Sequence, residues 1–279
     1  MRLWDATKCA QLAECDLGAL IRCVNFSADG TLVAVGFGGD LGGTNRGKDK
    51  KSGGYAVLHA ETLEVLHEAS RPLSKEWISD CKFSPDGKWL AVGSHDNVVY
   101  VLDVEDGYRL AHRLNKSNSF VVRFDWSADS KYVRVNDGAH ELLFYDATTG
   151  RHVAAASELK QEKWQTENCT IQWATMAAHN ETIDMNVVRA CDLSKARGVL
   201  AVGDEKRQLR LFRFPACDEK QRSKVFGGHS SFVTNLKWLP GDERLVSVSG
   251  ADRVVFQWRV HGPTDAEDYL AFASAAGDA

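Results

Sequence analysis

CKFSPDGKWLAVGSHDNVVYVLD, residues 81–103, holds three short runs rich in Val, Leu, Tyr and Phe. Two clusters of turn formers separate them, Ser84-Pro85-Asp86-Gly87 and Ser94-His95-Asp96-Asn97. Ser and Asp side chains bond nearby backbone N–H groups and Gly supplies positive φ, so both clusters read as tight turns between antiparallel strands. One small sheet of this kind leaves apolar surface in water and needs neighbours to cover it.

The neighbours are copies of itself. The motif at Ser84 recurs as Val24-Asn25-Phe26-Ser27-Ala28-Asp29-Gly30 and as Phe124-Asp125-Trp126-Ser127-Ala128-Asp129-Ser130. Looser forms are Cys191-Asp192-Leu193-Ser194 and Leu236-Lys237-Trp238-Leu239-Pro240-Gly241-Asp242. From Ser84 to Ser127 is 43 positions and from Ser194 to Leu239 is 45. These spacings fall at the period of about 40–45 residues that marks WD40 propeller blades. The intervals Ser27 to Ser84 and Ser127 to Ser194 are longer because each carries an insertion, 38–54 and 158–186 respectively.

Five three-strand units follow. Their strands are predicted at 21–26, 32–36 and 55–59; at 78–83, 89–93 and 98–103; at 121–126, 132–136 and 141–146; at 187–193, 199–203 and 209–214; and at 233–238, 244–248 and 254–260. Pro stays in the turns, as ladder hydrogen bonding demands. Ahead of them, Arg2-Leu3-Trp4-Asp5 reads as the end of a third strand, and residues 8–14 as an outer fourth strand of the same blade. Thr170-Ile171-Gln172-Trp173-Ala174, inside the second insertion, reads as the outer strand of the fourth blade. The expected architecture is all-β: about five propeller blades plus a partial N-terminal blade, forming an incomplete ring over residues 1–260. Residues 261–279 form an acidic C-terminal tail with Asp265, Glu267, Asp268 and Asp278 and no Lys or Arg.

Composition narrows the function. A net charge of -4 opposes a protein that coats nucleic acid. The seven cysteines include no CxxC pair and read as reduced thiols rather than metal ligands. No signal-peptide pattern opens the chain and no apolar run has membrane-spanning length. The expectation is a cytoplasmic protein without nucleic-acid or membrane partners, in which the sequons at Asn115, Asn168 and Asn180 are chance matches.

The repeats resemble WD40 propellers, and in particular the echinoderm microtubule-associated protein-like family. The resemblance is carried by Ala91-Val92-Gly93-Ser94-His95-Asp96-Asn97, by Asp125-Trp126-Ser127-Ala128-Asp129-Ser130-Lys131-Tyr132, and by Ala60-Glu61-Thr62. It continues in Thr182-Ile183-Asp184-Met185-Asn186 and in His229-Ser230-Ser231-Phe232-Val233-Thr234-Asn235 leading to Gln257-Trp258. It implies a non-enzymatic, cytoskeletal, microtubule-associated protein whose propellers engage tubulin, or a microtubule-based assembly such as the axoneme of a cilium or flagellum. The alternative is a general WD40 scaffold for a non-cytoskeletal complex, because the fold does not dictate the partner.

Candidate chemistry is sparse. Gly42-Gly43-Thr44-Asn45-Arg46-Gly47-Lys48-Asp49 approaches a phosphate-binding loop but puts Asp49 where Ser or Thr should hold Mg²⁺, and it opens no helix. It reads instead as a basic surface loop. Turns between second and third blade strands emerge on one face. Arg46, Lys48, Lys50, Lys51, Lys206, Arg207 and Arg253 are therefore the candidate contacts for an acidic protein partner. His229, Ser247, Asp252 and Trp258 occur in the order of the WD40 structural tetrad. No nucleophile elbow frames any serine and no HExxH is present, so no enzyme activity, cofactor or metal site is expected.

Overall fold

The computed structural model describes residues 1–39, 50–179, 188–218 and 220–260. Arg46, Lys48, the segment from Thr182 to Asn186 and the acidic tail lie outside the described residues. Packing divides the chain into two compact units, Met1–Gln165 and Thr166–Ala279.

The first unit opens with β1 (Arg2–Asp5) and β2 (Ala10–Glu14), an antiparallel pair. The first blade follows with β3 (Ile21–Phe26), β4 (Leu32–Phe37), β5 (Tyr55–His59) and β6 (Val65–Glu68). The second blade is β7 (Ile78–Phe83), β8 (Trp89–Ser94), β9 (Val99–Asp103) and β10 (Arg109–Leu114). The third has three strands, β11 (Val121–Trp126), β12 (Tyr132–Asp137) and β13 (Leu142–Asp146). In the second unit the fourth blade is β14 (Val188–Ser194), β15 (Val199–Asp204), β16 (Leu209–Arg213) and β17 (Lys224–Phe226). The fifth is β18 (Val233–Trp238), β19 (Arg244–Ser249) and β20 (Val255–Arg259). Every pairing is antiparallel between consecutive strands. Among the described residues, no helix is long and apolar enough to cross a membrane.

The first turn of each of the first three blades is built the same way. Ser27 Oγ donates to Asp29 at 2.5 Å and accepts the Leu32 N–H at 2.9 Å. Ser84 repeats this with Asp86 (2.5 Å) and Trp89 (3.0 Å), and Ser127 with Asp129 (2.7 Å) and Tyr132 (2.9 Å). In the fifth blade Leu239 takes the serine's place, and Asp242 turns outward to accept the Ala196 N–H of the fourth blade at 2.9 Å.

Blades within each unit meet through apolar faces. Cys23, Ala34 and Val57 of the first blade pack with Cys81, Leu90 and Val92 of the second, and Ala91, Val99 and Val101 of the second with Phe124, Val133 and Val135 of the third. Leu209 and Leu211 pack with Leu236, Trp238 and Leu245 in the other unit. Two indoles fasten these contacts. Trp126 Nε1 donates to the Lys82 carbonyl at 3.1 Å, and Trp238 Nε1 makes the equivalent bond to Asp192 at 3.2 Å. Beside the first indole lies a buried ion cluster in which Arg134 holds Asp125 at 3.0 Å while Lys82 stands 3.8 Å from both Asp80 and Asp125.

One expected strand is corrected. Residues 170–174 are not the outer strand of the fourth blade; β17 is, paired with β16. The segment instead leads into a 3₁₀ turn, Trp173–His179, whose Ala177 and Ala178 cover one face of the fourth blade against Val188, Cys191, Leu200 and Phe212. Thr175 Oγ1 and His179 Nε2 both bond the Thr170 carbonyl at 2.8 Å. Side chains that satisfy their own backbone in this way compete with a ladder, and small alanines permit the close approach.

Candidate functional site

The basic residues singled out in the sequence divide by environment. Lys206 and Arg207 are exposed in the turn between β15 and β16, and Arg253 is exposed in the matching turn between β19 and β20. Arg207 and Arg253 occupy equivalent positions with φ of 69° and 57°, as do Asn97 (70°) and His140 (64°) in the second and third blades. This left-handed residue lets a short hairpin close, and it throws the side chain clear of the sheet. In the other unit Lys50 is exposed, whereas Lys51 is engaged: its Nζ bridges Glu68 at 2.7 Å and donates to the Leu17 carbonyl at 2.9 Å. Both lysines line a cavity of about 220 Å³ with Phe37, Tyr55 and Glu68.

The tetrad residues come together in the fifth blade. His229 Nδ1 lies 3.0 Å from Asp252 Oδ2, His229 Nε2 lies 2.8 Å from Ser247 Oγ, and Trp258 Nε1 donates to the same oxygen at 2.8 Å. Asp252 also accepts the Ser230 and Val254 N–H groups. The imidazole thus bridges Asp252 through Nδ1 and Ser247 through Nε2, while the indole donates to the same hydroxyl. Burial alone would raise the Asp252 pKa, but the bonds from Val254, His229, Ser249 and Ser230 bring it down to about 2. Ser247 is fully buried and its hydroxyl bonds both His229 and Trp258, so the set ties loop, strand and turn of the blade together.

A feature on the same end of the blades escaped the sequence reading. Arg22, second residue of β3, lays its guanidinium over the Trp77 ring at 3.7 Å. Trp77 meets His95 edge-on at 4.3 Å, and His95 stacks on Phe120 at 4.5 Å with the rings 15° from parallel. The ridge thus crosses all three blades of its unit. His95 has its pKa pushed down to about 4, first by burial and then by the Arg22 charge, with Glu76 pulling the other way. A related pair, Arg189 and Phe232 at 5.8 Å, spans the fourth and fifth blades. The signal was available: Trp77, Phe120 and Phe232 each stand seven residues before the motif positions Ser84, Ser127 and Leu239.

Repeated antiparallel blades with indole-fastened contacts and a His-Ser-Asp-Trp brace define a WD-repeat β-propeller. Within that class, the family model for the echinoderm microtubule-associated protein second beta-propeller matches residues 1–260, and the chain belongs to that family. It is similar to human echinoderm microtubule-associated protein-like 3, with 31% identity over 264 residues, 93% of this chain and 28% of that protein. Human echinoderm microtubule-associated protein-like 2 is 34% identical over 242 residues, 86% of this chain and 35% of that protein. Echinoderm microtubule-associated protein-like 4 of Xenopus laevis is 32% identical over 243 residues, 86% of this chain and 25% of that protein. The chain spans about a third or less of the length of these curated relatives.

Proposed function

We propose that this chain is a non-catalytic propeller module of a cytoplasmic, cytoskeletal protein that binds tubulin or a microtubule-based assembly such as an axoneme. It acts by surface adhesion, and its partner-facing end is the one carrying the turns between second and third strands. The observation that carries the reading is the pairing of family membership with exposed cations in equivalent turns, Lys206 and Arg207 in one blade and Arg253 in the next. Charge complementarity of this kind raises on-rates toward an acidic surface and weakens with salt. In the first unit the proposed contacts are Lys50 and, by sequence, Arg46 and Lys48; Lys51 serves less because Glu68 already neutralises it.

Co-sedimentation with microtubules over a salt series tests this. Pelleting should fall as salt rises, and charge reversal at Lys48, Lys50, Lys206, Arg207 and Arg253 together should abolish most of it. Unchanged pelleting of that variant, or no pelleting of the parent chain at low salt, would favour a scaffold for a non-cytoskeletal complex instead.

A further inference from the structure

We propose that Arg22, Trp77, His95 and Phe120 form a docking ridge for an extended peptide, taking a carboxylate side chain on Arg22 and a large apolar side chain against Phe120. The proposal deepens the adhesion reading by naming the segment chemistry a protein partner would present, and it rests on that reading only in supposing such a partner.

The ridge starts from a prepared cation. Stacking on Trp77 at 3.7 Å fixes the plane of the Arg22 guanidinium, and its Nε donates to the Gly38 carbonyl at 2.9 Å, which fixes its rotation. Arg22 is exposed, and a guanidinium held in one orientation can take a carboxylate bidentately. Among the described residues no acid pairs with it. Its counterpart Arg189, also second in a first strand, is paired with Glu205. Of two equivalent arginines, one has a carboxylate partner and the other has none among the described residues.

The backbone behind the ridge is cut to receive it. A Cβ at Gly39 would stand 2.6 Å from Arg22 Nη2, and one at Gly38 would stand 2.2 Å from Trp77 Cβ. At the far end, a Cβ on Gly138 would fall 2.5 Å from the Phe120 ring. Trp77 is fastened further, its carbonyl accepting the His95 N–H at 3.0 Å and the Ser94 hydroxyl at 3.3 Å. Such support keeps the exposed groups in one geometry and lowers the ordering cost of binding. Phe120 nevertheless leaves 40% of its surface in water, the profile of an aromatic anchor.

Dimensions choose the ligand. The steps along the ridge are 3.7, 4.3 and 4.5 Å, and an extended chain rises about 3.3 Å per residue, so side chains up to about four residues apart cover its full length. A single guanidinium suits a singly charged carboxylate better than a polyanion. The fitting segment is therefore acidic at one position and apolar, preferably aromatic, up to about four positions along.

The test uses the full chain and the capped peptide Glu-Ala-Ala-Ala-Phe, with binding followed by the indole N–H resonance of Trp77. Arg22→Ala and Phe120→Ala should each weaken the peptide about tenfold or more, as loss of a charge-assisted bond or an anchor does. The Gln-Ala-Ala-Ala-Phe peptide should bind the parent chain as weakly as the Glu peptide binds Arg22→Ala. Arg22→Lys keeps the charge and loses the fork, and should recover only part of the affinity. Variants with native thermal midpoints that bind as well as the parent, or a parent chain that binds neither peptide, would overturn the proposal. Peptide binding that depends on Arg22 in a chain that does not pellet with microtubules would sustain the ridge and sink the microtubule reading. Pelleting without peptide binding would do the reverse.

Discussion

Gly203 in β15 and Val233, the first residue of β18, approach so closely that a Cβ at position 203 would stand 2.5 Å from Val233 Cγ1. The same contact recurs between Gly36 and Ile78 at 2.5 Å and between Gly93 and Val121 at 2.8 Å. In each case a glycine of the second strand admits the branched residue that opens the next blade. Adding a methyl would reduce unfolded-chain entropy, a gain of about 0.4–1 kcal/mol, but Val233 is fully buried and cannot swing aside. Overpacking should win. Gly203→Ala is expected to cost about 1–3 kcal/mol in urea unfolding. Adding Val233→Ala should recover part of that loss, whereas additive losses would mean that the two side chains do not meet.

Asp125 offers a sharper case. It is fully buried and holds Arg134 at 3.0 Å with Lys82 3.8 Å away, both cations being buried as well. Lys82 in turn donates to the Phe124 carbonyl at 2.5 Å, tying the second blade to the third. Removing the carboxylate takes from buried Arg134 its counter-ion at 3.0 Å and leaves Lys82 with Asp80 at 3.8 Å. Asp125→Ala should therefore destabilise by about 3–5 kcal/mol, far more than loss of the exposed Arg109–Asp106 pair, which should cost under about 1 kcal/mol. Calorimetry of the two variants checks the ranking.

These contrasts mark what a sequence exposes and what it hides. Ser27, Ser84 and Ser127 announce their turns because the bonds they make are local, within five residues, and the same logic placed most of the strands. The tetrad was legible because His229, Ser247, Asp252 and Trp258 keep a recognisable order. The segment at 170–174 misled because Thr-Ile-Gln-Trp has β-propensity in isolation, while its actual partners, Thr175 and His179, pull the backbone into a 3₁₀ turn. The ridge stayed hidden for another reason. Arg22 and Trp77 are 55 positions apart in sequence, and only the stacking of blades brings them to 3.7 Å.

The tetrad predicts a specific acid response. Asp252 is depressed to about 2 in the folded chain, against about 3.9 for an unfolded aspartate. A lowered carboxylate pKa stabilises the fold above the unfolded value, and that contribution drains away as pH falls from about 4 toward 2. Asp252→Asn should flatten the pH dependence of the urea midpoint in this window. At neutral pH, Ser247→Ala should cost about 2 kcal/mol, because it strands both His229 Nε2 and Trp258 Nε1 in a buried site. If Asp252→Asn keeps the parent's acid slope, the response originates in other carboxylates.

His95 moves stability in a higher window. Its ring lies between Trp77 and Phe120, where burial and the Arg22 charge hold its pKa at about 4 against Glu76, while an unfolded histidine titrates near 6.5. Between those values the unfolded chain binds the proton and the folded chain refuses it. Stability is therefore complete above about pH 6.5 and declines as pH falls toward 4. With allowance for the ring's partial exposure, the loss should be about 1–2 kcal/mol. His95→Phe keeps an aromatic ring in the stack and removes the proton, so it should match the parent at pH 7.5 and exceed it at pH 5. Urea midpoints at pH 7.5, 6 and 5 decide the matter: parallel slopes for the two proteins would move the titration to another group, and diverging slopes assign it to the centre of the ridge.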